Sequence, residues 1–167
     1  MYLSKPIFTI DAEDWNHGLH IDKNGHTSIQ SLFWLLQILD RYNVKPIIFM
    51  LGLFWYENKI ICENIKKDYF VGTHGLYHIR GEKADRQPYA FLGLCGGFYF
   101  RVLPYQFVKS QVYKEGQFYC HPHDFDEEHP KLKNPLINWK RHVGLKTSRK
   151  KLERLLKEVE FEDPISS

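Results

Sequence analysis

The sequence predicts an α/β fold built from parallel strand-helix-strand units, and two observations indicate it. Short apolar runs bounded by proline or glycine alternate along the chain with segments whose apolar residues recur at helical spacing. Three of these runs end in residues that carry chemistry: an acidic cluster, a histidine pair and a further histidine. Because the carboxyl ends of parallel strands meet at one edge of a sheet, we expect these residues at one site.

The length and charge of the chain restrict its class. Its 167 residues suffice to bury a core, and we interpret 1–167 as a single domain. The formal charge of +3 is too small to indicate a nucleic-acid partner, and the sequence leaves the oligomeric state open. Most of the basic excess lies in 131–157, which we interpret as a solvated helix face; attraction to an anionic lipid or nucleotide carrier is the alternative.

Cysteine usage and hydropathy indicate a compartment. Cys62, Cys95 and Cys120 are widely spaced and odd in number, which indicates neither a disulfide framework nor a Cys-x-x-Cys zinc site. They fit a reducing compartment. The N-terminus lacks the pattern of a secretory signal, and the longest apolar run, 47–56, is too short to cross a bilayer. We therefore expect a cytoplasmic protein without a membrane span.

The first half of the chain predicts two strands and a helix between them. A strand is predicted at 6–11, where an apolar run ends in acids. Thr27 and Gln30 have the spacing of a capping box, and leucines at helical spacing predict a helix over 28–42. A second buried strand is predicted within 45–52, between Pro46 and Gly52.

The later elements continue the alternation. A helix is predicted at 54–67, a strand at 69–72, a helix at 104–114 and a strand at 117–120. Glycine density over 93–101 indicates a loop that shapes a substrate site. We expect 131–143 to be irregular. A last helix is expected to be capped by Thr147, with these residues facing inward: Leu152, Leu155, Leu156 and Val159.

The residues after the predicted strands indicate a metal site. His74 and His78 are four apart, and on a helical turn both imidazoles face one ion. Imidazole suits zinc, cobalt, nickel or iron, and a carboxylate is needed to complete a mixed site. The cluster Asp11, Glu13 and Asp14 supplies it. Two such histidines alone are more often an incidental surface pair, but the acids and His121 favour the metal.

Set in order, these clusters resemble the motifs of the polysaccharide deacetylase family with the NodB homology domain, also called carbohydrate esterase family four. The branch most resembled is exopolysaccharide-associated and carries a C-terminal extension. The family motifs are matched by Asp11-Ala12-Glu13-Asp14, His74 to His78, Arg86-Gln87-Pro88-Tyr89 and Phe118-Tyr119-Cys120-His121. The stretches typical of the branch are matched by Gly96 to Tyr105, Tyr119 to Pro122, and His142 to Leu145.

The resemblance implies a particular variant of the α/β fold. It implies a shortened, distorted (β/α) barrel of the NodB type. The interval between His78 and Arg86 is far shorter than the family's usual one, as if a helix and a strand had been deleted. We therefore expect an incomplete barrel with a more open cleft.

The resemblance also implies an activity and roles for the motif residues. It implies a metal-dependent hydrolase that removes an N-acetyl group from a sugar, with zinc as the favoured ion and cobalt, nickel or iron as alternatives. His74, His78 and one acid hold the ion. The acid is either Glu13 or Asp14, with Asp14 slightly favoured because the shorter acid is the family's usual ligand.

Two further residues take part in the implied reaction, Asp11 as general base and His121 as general acid. The resemblance implies that Arg86 orients Asp11 and that the backbone N–H of Tyr89 contributes an oxyanion contact.

Aromatic residues are candidates for contact with the sugar. Trp15, Tyr99 and Trp139 suit stacking on sugar rings, and core packing explains each equally well. Two other functions stay open from the sequence. One is hydrolysis of an amide in a molecule other than a sugar, and the other is a silent member that binds sugar or metal without turnover.

Overall fold

A computed structural model describes residues 5–19, 25–78 and 93–164. They contain four parallel strands in the spatial order β3-β2-β1-β4, so the predicted parallel α/β class is confirmed. The described strands form one open sheet and do not close into a barrel. The strands are β1 (Ile7–Ala12), β2 (Ile47–Met50), β3 (Phe70–Thr73) and β4 (Gln117–Cys120).

Helices connect and flank these strands. Two single turns of 3₁₀-helix accompany them, at His17–Leu19 and at Pro122–Phe125. The helices are α1 (Ile29–Arg41), α2 (Gly52–Glu57), α3 (Lys59–Asp68), α4 (Gly97–Val102), α5 (Tyr105–Glu115), α6 (Pro135–His142) and α7 (Leu145–Glu158).

Three helical predictions need correction. The single helix predicted at 54–67 is two helices, because the chain turns at Asn58, whose N–H donates to the carbonyls of two residues at the end of α2. The glycine-dense stretch predicted as a loop contains α4, and the stretch predicted to be irregular contains α6. Helix α6 begins where the Asn134 side chain accepts hydrogen bonds from the N–H groups of Leu136 and Ile137.

The N-terminus of α1 is capped from a distance. The Ser28 N–H donates to Asp14 Oδ1 at 2.8 Å, and the Thr27 hydroxyl donates to Asp14 Oδ2 at 2.7 Å. The predicted capping box of Thr27 and Gln30 is therefore wrong, because an acid from the β1 loop takes that role. The predicted Thr147 cap of α7 is also wrong. The residue that precedes α7 is Gly144, with φ +75°, and the Thr147 hydroxyl lies inside the helix and donates to the Gly144 carbonyl.

The core lies between the sheet and the helices. Leucines of α1 are buried in this core, and so are the residues predicted to face inward at the end of the chain: Leu152, Leu155, Leu156 and Val159. Cys62, Cys95 and Cys120 are buried free thiols. Within the described part of the chain, no helix has both the length and the apolar character needed to cross a bilayer.

Gly96 brings the start of α4 against strand β4, and a substitution there tests this packing. A Cβ on Gly96 would lie 1.8 Å from the Tyr119 carbonyl oxygen, which is backbone and cannot move alone. We expect Gly96→Ala to lower the free energy of unfolding by about 1–3 kcal/mol or more, measured by urea denaturation. Gly116→Ala is the comparison, because Gly116 has φ +67° and open space, so only backbone strain of roughly 1 kcal/mol is expected. A Gly96→Ala protein as stable as wild type would contradict this packing.

Candidate active site

Three strands deliver polar residues to the same edge of the sheet. Asp11 is near the end of β1 and Glu13 follows that strand. His74 directly follows β3, and His121 directly follows β4. Because all the strands are parallel, their carboxyl ends meet, as the sequence predicted.

His74 and His78 lie on a loop, not on the helical turn expected from their spacing. Gly75 and His78 both have positive φ, at 87° and 61°. The loop is tied to the start of α2, because the Gly52 N–H donates to the Gly75 carbonyl at 2.8 Å. The two imidazole rings are nevertheless adjacent, with centroids 5.2 Å apart. The histidines meet through a bent loop and not through helical periodicity.

Glu13 is the acid that reaches this pair. Its Oε2 lies 3.4 Å from His78 Nε2, and ligand atoms of Glu13, His74 and His78 all lie within 4.8 Å of one another. Asp14 faces away, because its carboxylate accepts from the Trp15 N–H as well as from the cap of α1. The structure therefore brings Glu13 and not Asp14 to the histidines, which corrects the preference for Asp14.

These residues fit a divalent metal ion. Glu13 Oε2 and His74 Nε2 are buried, and neither has a hydrogen-bond partner among the described residues. A buried polar atom without a partner costs free energy, and a cation between these atoms would remove that cost. Two imidazoles and one carboxylate match the ligand set of zinc and related ions, with room for a further ligand.

Asp11 lies between two histidines. Its carboxylate is 3% exposed, with Oδ1 3.8 Å from His74 Nδ1 and Oδ2 3.7 Å from His121 Nε2. These separations exceed a hydrogen bond but allow a strong electrostatic interaction in a buried site. The acid is therefore shared between the candidate metal ligands and the histidine that follows β4.

His121 is held by an acid three residues later. Its Nδ1 lies 3.0 Å from Asp124 Oδ2, and its backbone N–H donates to the same oxygen at 2.9 Å. Burial lowers the pKa of His121, but the hydrogen bond and charge of Asp124, with the charge of Asp11, outweigh it and raise the pKa to about 9. At neutral pH His121 is thus an imidazolium whose Nε2 proton faces Asp11.

Arg101 anchors Asp124. Its Nε donates to Asp124 Oδ1 at 3.0 Å. Its two Nη groups donate to the carbonyls of Lys140, Arg141 and Val143 at 2.8–2.9 Å. Burial alone would raise the pKa of Asp124, but its bond to His121 and the nearby positive charges hold it well below its usual range. Arg101 therefore connects the end of α6 to the candidate acid.

Sequence reasoning did not assign a role to either Asp124 or Arg101. Asp124 could have been found from the spacing His-Pro-His-Asp, because a residue three after a strand end can turn back onto it. Arg101 lies in the stretch Gly96 to Tyr105 that resembles the branch motif, but its role could not be assigned from the sequence because its partners lie 23 and about 40 residues later in the chain.

A cleft of about 410 Å³ opens onto this site. Tyr99 is 40% exposed and lines the cleft, so it is accessible for the predicted contact with a sugar, which stays a prediction. Phe98 makes edge contacts with both Tyr99 and Trp139, so three aromatic rings form a group at the rim. The residues that line the cleft are Glu13, His78, Phe98, Tyr99, Arg101, His121, His123, Asp124, Lys140 and Arg141.

Trp15 is not a substrate contact. It is fully buried, and its indole N–H donates to the His26 carbonyl at 3.1 Å. The predicted stacking role of Trp15 is therefore wrong, and its core-packing alternative holds. Arg86 and Tyr89 lie outside the described residues, so their roles stay predictions.

Comparison with known proteins gives one match. Residues 87–165 match a family model described as "Domain of unknown function (DUF3473)". No curated protein and no solved structure matches the chain. The matched part includes Arg101, His121 and Asp124 and begins after His74 and His78.

Proposed function

We propose that this chain is a metal-dependent hydrolase that removes an N-acetyl or related acyl group from a sugar of a surface polysaccharide or its precursor. One observation carries the proposal: Asp11 lies between the group Glu13, His74 and His78 and the half-buried His121. Amide hydrolysis needs a base, an electrophile and an acid that meet at one point, and this arrangement provides candidates for all three.

Glu13, His74 and His78 would hold the ion, with zinc favoured and cobalt, nickel or iron as alternatives. A bound divalent ion supplies Lewis acidity toward an amide carbonyl and toward water. These ligands come from two different loops, and the buried Oε2 of Glu13 and Nε2 of His74 are both available to it.

Asp11 and His121 would move the protons. Asp11 takes a proton from the attacking water as the water oxygen bonds to the amide carbon. His121 donates its Nε2 proton to the amide nitrogen as the C–N bond breaks, which gives a free amine and a carboxylic acid that then loses its proton to solvent. Asp124 holds the imidazolium in place from Nδ1, and Arg101 holds Asp124.

Two observations support a sugar as the substrate: the aromatic rings at the rim of the cleft and the resemblance to the polysaccharide deacetylase family. Aromatic faces stack on the apolar faces of sugar rings, and Phe98, Tyr99 and Trp139 lie together beside the cleft. The parallel sheet is compatible with a shortened piece of a NodB-type barrel. The matched residues 87–165 include the three stretches that resemble the exopolysaccharide-associated branch: Gly96 to Tyr105, Tyr119 to Pro122, and His142 to Leu145. A cytoplasmic location and a carbohydrate partner belong to the same proposal.

Metal reconstitution tests this function. Chelator-treated protein is reloaded with zinc, cobalt, nickel or iron, its metal content is measured, and acetate release from N-acetylated oligosaccharides is followed. We expect one bound ion per chain and acetate only from the reloaded protein. A bound ion without acetate would point to a different amide or to a silent binder, and protein that takes up no ion would refute the metal site.

A further inference from the structure

Two cationic side chains of α6 lie in the cleft. Lys140 and Arg141 both line it, next to His123 and Asp124. Their backbone carbonyls accept hydrogen bonds from Arg101, which also holds Asp124. The position of this cationic pair is therefore coupled directly to the His121 end of the candidate active site.

In the described part of the chain the charge of this cationic pair is only partly balanced: Asp124 and Glu13 attract the Arg141 guanidinium but form no ion pair with it. Within residues 5–19, 25–78 and 93–164, no carboxylate forms an ion pair with Arg141 or Lys140. Asp124 is already bound by Arg101 and His121, and Glu13 faces His78. The acids of the cleft thus have other partners, and the positive charge of α6 is left facing the open volume.

The contact that Arg141 does make is with a neutral group. Its Nη1 donates to His123 Nε2, and His123 is stacked on His121 with ring centroids 4.8 Å apart. Burial and the charge of Arg141 lower the pKa of His123 well below its usual value. An imidazole is either neutral or cationic, so His123 supplies no counter-charge to the guanidinium.

A guanidinium that is partly removed from water and has no directly paired carboxylate costs free energy, which an anion from outside would offset. The guanidinium has five N–H donors in a planar fork that matches carboxylate and phosphate groups. Most of these donors of Arg141 remain after its bond to His123.

We propose that the substrate of this cleft carries an anionic group, a sugar carboxylate or a phosphate ester, which binds Arg141 and Lys140 while the amide lies at Asp11. This inference rests on the proposed function and adds a substrate class to it. It predicts an acidic polysaccharide or a phosphorylated sugar in preference to a neutral one.

Binding to the zinc-reloaded protein tests the subsite without relying on turnover. Titrations with N-acetylglucosamine, N-acetylglucosamine 6-phosphate and N-acetylmuramic acid compare a neutral, a phosphorylated and a carboxylated amino sugar. We expect at least one anionic sugar to bind about tenfold more tightly than the neutral one, as one charged hydrogen bond would give, and the preference to weaken with salt. The better of the two anionic sugars identifies the source of the charge.

Variants separate an anion subsite from a structural role of Arg141. Arg141→Gln keeps an N–H donor for His123 but removes the charge, so we expect the anionic preference to disappear and the affinity for N-acetylglucosamine to stay. Lys140→Gln, at an exposed position, should reduce the same preference without affecting the fold. Arg141→Lys should retain part of it. Arg41→Gln, on the exposed end of α1, is the matched control and should bind like wild type.

The outcomes are distinguishable from those of the proposed function. Equal binding of anionic and neutral sugars, or a preference unchanged in Arg141→Gln, would overturn the subsite even if acetate is released. Binding of an anionic sugar that depends on Arg141, without acetate release from any sugar, would support the subsite and contradict the deacetylase function. An equal loss of affinity for all three sugars in Arg141→Gln would assign Arg141 a structural role and overturn the subsite.

Discussion

Replacing Asp11 by Asn is expected to lower the rate of acetate release by about 10²–10⁴-fold, the usual contribution of a general base. Asn has the same shape as Asp but does not take up a proton from water. The proposed metal ligands are other residues, so elemental analysis of Asp11→Asn is expected to find the wild-type amount of bound ion. The measurement therefore combines the rate with the metal content of the same sample.

A matched control tests whether the loss of rate is specific to Asp11. Asp68→Asn changes an exposed acid at the end of α3 and should leave both rate and metal content unchanged. A near wild-type rate in Asp11→Asn would refute its role as base. Loss of the ion together with the rate would instead place Asp11 among the ligands.

The second large effect is expected from replacing Glu13, which faces the histidines, whereas its neighbour Asp14 caps α1. Glu13→Gln should weaken metal binding by at least about 100-fold. Residues that only support a ligand typically contribute about 10- to 100-fold, and a ligand itself is expected to contribute no less than the upper end of that range. The neutral amide removes the charge that faces His78. Competition with a chromophoric chelator measures the affinity, and acetate release should fall with it.

Asp14→Asn is the comparison for Glu13→Gln. We expect it to keep the bound ion and to lower the free energy of unfolding by about 1–3 kcal/mol, because its carboxylate caps α1 and accepts from the Trp15 N–H. Urea denaturation measures the loss. If Asp14→Asn loses the ion and Glu13→Gln keeps it, the assignment of the ligand is reversed.

Local pattern was enough to predict the sheet. Buried parallel strands are short apolar runs with turn formers on either side, and this signal is contained in each segment. Strand β4 therefore lies at the residues predicted for it, and the other strands lie within one or two residues of their predictions. The order of strands and helices also predicted which residues would meet at one edge.

The helices show where local pattern fails. Helices α4 and α6 are short and lie over the site, where Arg101 of one donates to carbonyls at the end of the other. Their formation depends on contacts between segments about 40 residues apart, which no window of the sequence contains. Of the glycine-dense stretch 93–101 predicted as a loop, only 93–96 lie outside a helix, because α4 begins at Gly97 where Gly96 packs on Tyr119.

By itself, the sequence determined the parallel α/β class, the meeting of Asp11, His74 and His121 at one edge, and the choice of candidate ligands. Only the tertiary structure showed that Glu13, and not Asp14, lies beside the histidines, that Trp15 is buried, and that Asp124 and Arg101 belong to the candidate site. The physical reason is that a strand determines where its last residue emerges, whereas the direction of the side chains beyond it depends on their partners. Asp14 turns toward the N-terminus of α1, and Glu13 is left facing the histidine loop.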